Sequence, residues 1–156
     1  MKKKKVMFIS SVGGHLTQML ELKSIFNDYD YVLVTEKTDV TKDMTSKYRM
    51  DYLMYGSRHF LFKYMFICIY NLIKSIYLFC KYRPKVIVTT GTHTAVVMCY
   101  LGWIFRRKVI YIESFAKRTS KTMAGKMIYP VATTFVVQWE SMLKLYPKAK
   151  YFGGIY

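Results

Sequence analysis

The chain has 156 residues, 53% of them apolar and 22% charged, which suits one domain with a sizeable core and excludes both a two-core protein and a disordered chain. Lys and Arg number 25 against 9 Asp and Glu, a net charge of +16, so the surface attracts something anionic: nucleic acid, an acidic membrane face or phosphorylated ligands. The excess is uneven, with nine bases and seven acids up to Asp51 but sixteen bases and two acids, Glu113 and Glu140, after it.

Residues 2–5 are all lysine and precede a short apolar run that stops at Ser10-Ser11-Val12-Gly13-Gly14. That run is too short for the apolar core of a secretory signal, so secretion is not expected. It reads instead as a first strand over 6–10, with a lysine flank that attracts anionic lipid. Leu16, Met19, Leu20, Leu22 and Phe26 then fall at helical spacing. Further strands are expected over 31–35, 52–55, 86–90, 109–113 and 135–139. Each is nearly continuous in apolar residues, as parallel strands buried on both faces are. Helical patterns occupy about 59–82, 94–105 and 122–129. This alternation predicts an α/β fold, a doubly wound, mostly parallel, Rossmann-like sheet forming one domain over 1–156. Ligands of such folds bind beyond the carboxyl ends of the strands.

The segment 59–82 differs from the other helical patterns. Lys63, Lys74 and Lys81 fall within about 20° of one another on a helical wheel, with Tyr70 and Tyr77 beside them. Most of the remaining circumference is Leu, Ile, Phe and Met, Phe66 included. Lys74 interrupts a stretch that would need about 20 predominantly apolar residues to span a bilayer. The pattern predicts a basic amphipathic helix that packs partly on the sheet and partly on a membrane surface. Arg58, Arg106 and Arg107 join Lys63, Phe66, Lys74 and Lys81 as expected membrane contacts. Cys68, Cys80 and Cys99 lie in apolar segments without a C-x-x-C pair. They read as reduced, buried thiols of a cytoplasmic protein.

Three polar turns follow expected strands. In Val12-Gly13-Gly14-His15, two glycines let the backbone approach a ligand, and the next helix offers N–H groups to phosphate. Thr89-Thr90-Gly91-Thr92-His93 repeats the pairing of Gly with His and adds hydroxyl donors. Glu113-Ser114-Phe115-Ala116 carries the only acid between Asp51 and Glu140. Gly13, Gly14, Gly91, Thr92, His93 and Ser114 are candidate phosphate-binding residues. His15 and Glu113 are candidate catalytic groups, either of which could take a proton. Phosphate loops of the G-x-x-x-x-G-K-[ST] type, G-x-S-x-G elbows, H-E-x-x-H motifs and paired Cys/His metal spacings do not occur in the sequence. The aromatics fall inside strand and helix patterns and are not interleaved with bases, so nucleic acid is not the expected partner.

Val12-Gly13-Gly14-His15, residues 84–91, Tyr111-Ile112-Glu113-Ser114-Phe115-Ala116, and Val137-Gln138-Trp139 before Tyr146-Pro147-Lys148-Ala149 together resemble one family. It is the membrane-associated subunit of the two-component UDP-N-acetylglucosamine transferase of asparagine-linked glycosylation, with its bacterial capsule and exopolysaccharide relatives. More remotely, the chain is similar to the amino-terminal half of the lipid-linked N-acetylglucosaminyl transferase of peptidoglycan synthesis. The resemblance implies the acceptor-side half of a GT-B glycosyltransferase on its own chain. No cofactor is expected on this chain alone, since the UDP-sugar donor would sit on a partner subunit. The acceptor would be a polyprenyl-diphosphate-linked saccharide at the cytoplasmic face of the cell membrane. A non-catalytic enhancer that recruits a complete transferase to the membrane is the alternative. Residues 151–156, with Phe152, Gly153, Gly154, Ile155 and Tyr156, would dock the partner. Unlike the eukaryotic anchor subunit, the chain is read as lacking an amino-terminal transmembrane helix, so attachment would fall to the 59–82 helix, the basic surface or the partner.

Overall fold

The structure, a computed structural model, describes residues 3–56 and 61–155. Arg58, Tyr156 and the side chain of Lys63 lie outside the described residues. Seven strands form one parallel sheet: β1 Lys5–Ile9, β2 Asp30–Lys37, β3 Met50–Met54, β4 Val86–Thr89, β5 Lys108–Ile112, β6 Thr134–Val137 and β7 Lys150–Tyr151. Their order is β3-β2-β1-β4-β5-β6-β7. Four α-helices, α1 Gly14–Glu21, α2 Leu61–Tyr82, α3 His93–Ile104 and α4 Met123–Ile128, alternate with the strands, and 3-10 turns occupy Leu22–Asp28, Lys42–Ser46 and Glu140–Lys144. The doubly wound sheet expected from the alternation is present. β7 was not foreseen, because two exposed residues at a sheet edge carry no periodic signal. It pairs Tyr151 with Val137 and so takes the first residue of the expected docking segment into the sheet.

The central strands are apolar throughout because both of their faces are covered. Met7, Ile9, Ile87 and Val109 face a core with Leu78, Met98, Cys99 and Ile128 from α2, α3 and α4. Val6, Phe8, Val86 and Val88 face the other way, toward Leu16, Met19 and Phe26. On that second side the cover is partial. Val88, Ile110, Ile112 and Val136 border an open groove of about 480 Å³, rimmed by Lys4, Lys108, Phe152 and Ile155.

α2 runs for 22 residues, and its Tyr64–Tyr82 stretch is long and apolar enough by composition to cross a membrane. Lys74 and Lys81, however, are turned toward the sheet edge. Lys81 Nζ lies 2.9 Å and Lys74 Nζ 3.9 Å from the two carboxylate oxygens of Asp51 on β3. Burial alone would raise the Asp51 pKa. Hydrogen bonds from Lys81, the Tyr52 N–H and the Tyr82 hydroxyl outweigh it and hold the carboxyl below its ordinary value. Lys74 and Lys81, expected as membrane contacts, are thus paired with an acid at the edge strand, and Lys81 remains 43% exposed. The outward face is instead apolar, with Phe62, Phe66, Ile69, Ile73 and Ile76 all exposed. Cys68 and Cys80 are both exposed on this helix, and of the three thiols expected to be buried only Cys99 is.

Candidate functional site

β1 and β4 lie side by side at the centre of the sheet, where the strand order reverses, and each ends in a glycine turn. Such a switch point opens a crevice beyond the strand ends. Gly13, at φ +77°, precedes α1, and Thr92 precedes α3; neither helix start receives a side-chain cap. Two helix N-termini with their positive dipole ends therefore meet at one edge, an arrangement that favours an anion. Gly91 sits at φ +101°, and a Cβ there would lie 3.3 Å from both His15 Cε1 and the Tyr111 hydroxyl. The left-handed backbone and the close approach both require glycine. The Gly91 N–H is held by Thr89 Oγ1 at 3.0 Å, so Gly91 contributes shape more than a donor.

His15 ties the two turns together. Its Nδ1 lies 2.7 Å from the Thr90 carbonyl oxygen, and Thr90 Oγ1 donates back to the His15 carbonyl at 2.8 Å. A carbonyl only accepts, so Nδ1 carries the proton, and in the neutral ring Nε2 is left as the acceptor. A second tie was missed by the sequence reading. Glu36, 3% exposed at the end of β2, accepts from the Val12 N–H at 3.3 Å and from Thr94 Oγ1 at 2.7 Å. Its signal was available: an acid placed at the carboxyl end of an apolar strand.

Glu113 is fully buried. Its carboxylate accepts from the Ser114 N–H at 2.9 Å, Thr122 Oγ1 at 3.0 and 3.1 Å, the Tyr146 hydroxyl at 3.1 Å and the Tyr111 hydroxyl at 3.3 Å. It forms no ion pair among the described residues. Burial first, and the Glu113 charge second, push the Tyr111 and Tyr146 pKa values up, so both hydroxyls stay protonated as donors. Thr122 Oγ1 also accepts from the Gly125 N–H at 2.8 Å and caps α4. Glu113, a candidate catalytic group in the sequence, is thus held behind the crevice wall by five hydrogen bonds. Ser114 turns inward with it. Tyr111, itself buried, and the half-buried Thr122, unremarked as site residues in the sequence, are the members of this cluster that line the crevice.

The resulting crevice, about 200 Å³, is lined by His15, Thr92, His93, Tyr111, Thr122 and the α4 residues Met123, Ala124 and Met127. Thr92 Oγ1 is buried without a hydrogen-bond partner among the described residues. His93 is exposed at the start of α3. The structure thus gathers Gly13, Gly14, His15, Gly91, Thr92 and His93 at one edge. The donor set suits an anion with a proton acceptor beside it. No cluster of His, Cys, Asp or Glu able to hold a metal ion occurs among the described residues.

The remaining expected residues lie elsewhere. Phe152 is 68% exposed, and the Ile155 N–H donates to Gln138 Oε1 at 3.0 Å; both border the groove on the second sheet face. Arg106 is exposed and Arg107 half-buried, just after the exposed Trp103, Ile104 and Phe105 at the end of α3.

Sequence comparison matches residues 6–155 to the family described as oligosaccharide biosynthesis protein Alg14 like. The UDP-N-acetylglucosamine transferase subunit ALG14 of Candida albicans is 33% identical over 91 residues, covering 54% of this chain and 42% of that protein. The human subunit of the same name is 23% identical over 177 residues, covering 96% and 82%. Among solved structures, MurG of Acinetobacter baumannii superposes with a TM-score of 0.71 at 11% identity, over 88% of this chain and 42% of that one. The fold is that of a GT-B half, and with its family match spanning nearly every residue from the first strand to the end of the described segment, the chain belongs to the Alg14-like family.

Proposed function

We propose that this protein is the acceptor-binding, membrane-associating subunit of a two-component glycosyltransferase. With a donor-binding partner, it moves a sugar from a UDP-sugar to a polyprenyl-diphosphate-linked saccharide at the cytoplasmic face of the membrane. The observation that carries this reading is the meeting of two uncapped helix N-termini, two glycine turns and His15 at the sheet's switch point. That edge suits a diphosphate, with His15 Nε2 as the acceptor for the proton of an attacking hydroxyl. The names of the Candida and human relatives agree with a UDP-N-acetylglucosamine donor. The donor is assigned to the partner, so this chain itself carries no cofactor. Residues 151–156 and the adjoining groove are its proposed docking surface. The setting we propose is capsule or exopolysaccharide assembly, on the likeness of residues 111–116 and 137–139.

The outward apolar face of α2 supports membrane attachment, with Trp103, Phe105 and Arg106 extending it. It equally favours a second reading, in which the chain only recruits an already complete transferase. The two separate in one experiment. Each subunit, alone and together, is assayed for transfer from UDP-sugars to a polyprenyl-linked acceptor, with His15→Ala and Phe66→Asp/Ile73→Asp variants. The acceptor-side reading expects transfer only from the pair, lost with His15→Ala. Retained turnover by His15→Ala in detergent, with failure only in membranes for the α2 variant, selects the recruiter. Full transfer by this chain alone would overturn both.

A further inference from the structure

The crevice below the glycine turns continues past them. At His93 and Met127 it joins a second crevice of about 240 Å³ that runs between α2 and α3. Tyr64, Ile67 and Cys68 form one wall and Val96 and Val97 the other, and Gly56 also borders it. Two of the polar groups along it, Asn71 and Thr94, are already engaged, the latter with Glu36. The Asn71 side chain donates to the Met54 carbonyl and accepts from the Met54 N–H, both at 2.8 Å. The Ser75 hydroxyl, in a residue 1% exposed, has no hydrogen-bond partner among the described residues. It is already desolvated, so an apolar neighbour adds no further penalty there. Met123 and Met127 stand exposed at the mouth, and flexible thioether side chains adapt to irregular apolar ligands. Beyond Cys68, the helix presents its outward face of Phe66, Ile69 and Ile73.

We propose that this second crevice is a prenyl subsite, holding the first isoprene units of a polyprenyl diphosphate whose phosphates sit at the glycine turns. The proposal rests on the acceptor-side reading of those turns and adds a lipid-recognition site to it. The trough shares His93 and Met127 with the anion-binding edge and Cys68 with the exposed side of α2, and most of its lining between is apolar. A hydrocarbon chain attached to a diphosphate matches that sequence of environments. A peptide would bring amide groups that the walls leave unpaired. Each crevice alone is smaller than the roughly 300 Å³ at which ligand pockets begin, whereas the joined trough exceeds it.

The free thiols supply the test. Cys68 lines the crevice, Cys80 is exposed on the same helix away from it, and Cys99 is buried. The full chain is treated with a maleimide under increasing farnesyl diphosphate, and each cysteine peptide is quantified by mass spectrometry. Alkylation of Cys68 is expected to slow about fivefold or more while Cys80 is unaffected, and inorganic pyrophosphate is expected to bind without protecting Cys68. Calorimetry should show farnesyl diphosphate binding about tenfold or more tighter than pyrophosphate, a gain that Val97→Trp removes by filling the crevice. Unchanged alkylation of Cys68 with farnesyl diphosphate bound, equal protection by pyrophosphate, or equal protection by a phosphatidylglycerol vesicle would overturn the subsite and leave the reading of the turns intact. If neither diphosphate binds, the acceptor-side reading fails and the subsite falls with it.

Discussion

Glu36 Oε1 accepts a 2.7 Å hydrogen bond from Thr94 Oγ1, while its other oxygen holds the Val12 N–H. One buried carboxylate therefore fixes the first turn of α3 against the loop before α1. Replacing it with Ala leaves the buried Thr94 hydroxyl unpaired, at about 1–3 kcal/mol, and releases the half-buried Val12 N–H. Glu36→Gln retains one acceptor and should cost less stability, yet still loosen the spacing of the turns. A three- to tenfold weaker pyrophosphate affinity with a small change in urea midpoint is the roughly expected outcome. Unchanged affinity would mean that the turns do not depend on this bridge.

His15 makes a different kind of contribution, since its ring nitrogen faces the crevice. In the two-subunit complex, His15→Ala should lower turnover by about 10²- to 10⁴-fold, the usual range for a general base, without changing membrane association. His15→Asn can still donate toward the Thr90 carbonyl but supplies no ring acceptor. It should restore folding stability to the wild-type value and leave turnover low. Recovery of activity in His15→Asn would assign the residue a structural role only.

Glu113 should behave as an anchor. Glu113→Ala strands the Tyr111, Tyr146 and Thr122 hydroxyls and the Ser114 N–H in a closed interior, a loss of about 3 kcal/mol or more. Gly125→Ala attacks the same cluster sterically, because the new Cβ would lie 2.5 Å from Glu113 Oε2 and the Tyr146 hydroxyl. Both variants should unfold at markedly lower urea concentrations. A Glu113→Ala protein of wild-type stability but no activity would instead return Glu113 to a direct chemical role.

The Asp51 cluster predicts a pH dependence. Its folded pKa is lowered, so the stability that it contributes is present above the ordinary carboxylate range, near 3.9, and is lost as pH falls through the folded value. Asp51→Asn should destabilise the protein at pH 7 by about 1 kcal/mol, a modest figure because Lys81 is 43% exposed. The gap between variant and wild type should shrink at a pH below the ordinary carboxylate range, as the lowered folded value is approached. An equal gap at both pH values would show that the ion pairs add nothing.

Much of this arrangement was legible in the residues because the governing rules are local. Continuous apolar runs mark strands covered on both faces, and the six strands that obey this were expected near their observed places. The glycine turns were legible because a positive φ at Gly13 and Gly91 narrows the choice of residue. What escaped depends on which strands become neighbours. Nothing near Lys74 or Lys81 in the sequence announces Asp51, which lies 30 residues before Lys81, so the lysine stripe read as outward-facing. Likewise, Glu113 read as a candidate catalytic group, and nothing near it announced Tyr146, 33 residues later, which donates to it. Tyr111 lay within the strand pattern, and only its hydroxyl contact beside Gly91 and His15 brings it to the site.

His15 and Thr90 stand 75 residues apart, and the stretch between them includes the whole of α2. The anion-binding edge is therefore a long-range closure that an unfolded chain does not offer, completed only when the central strand pair forms. Any molecule bound there clasps the two ends of that excursion and raises the cost of opening the sheet at its middle. Occupancy should consequently register as slower hydrogen exchange along β1 and β4, well away from the contact itself.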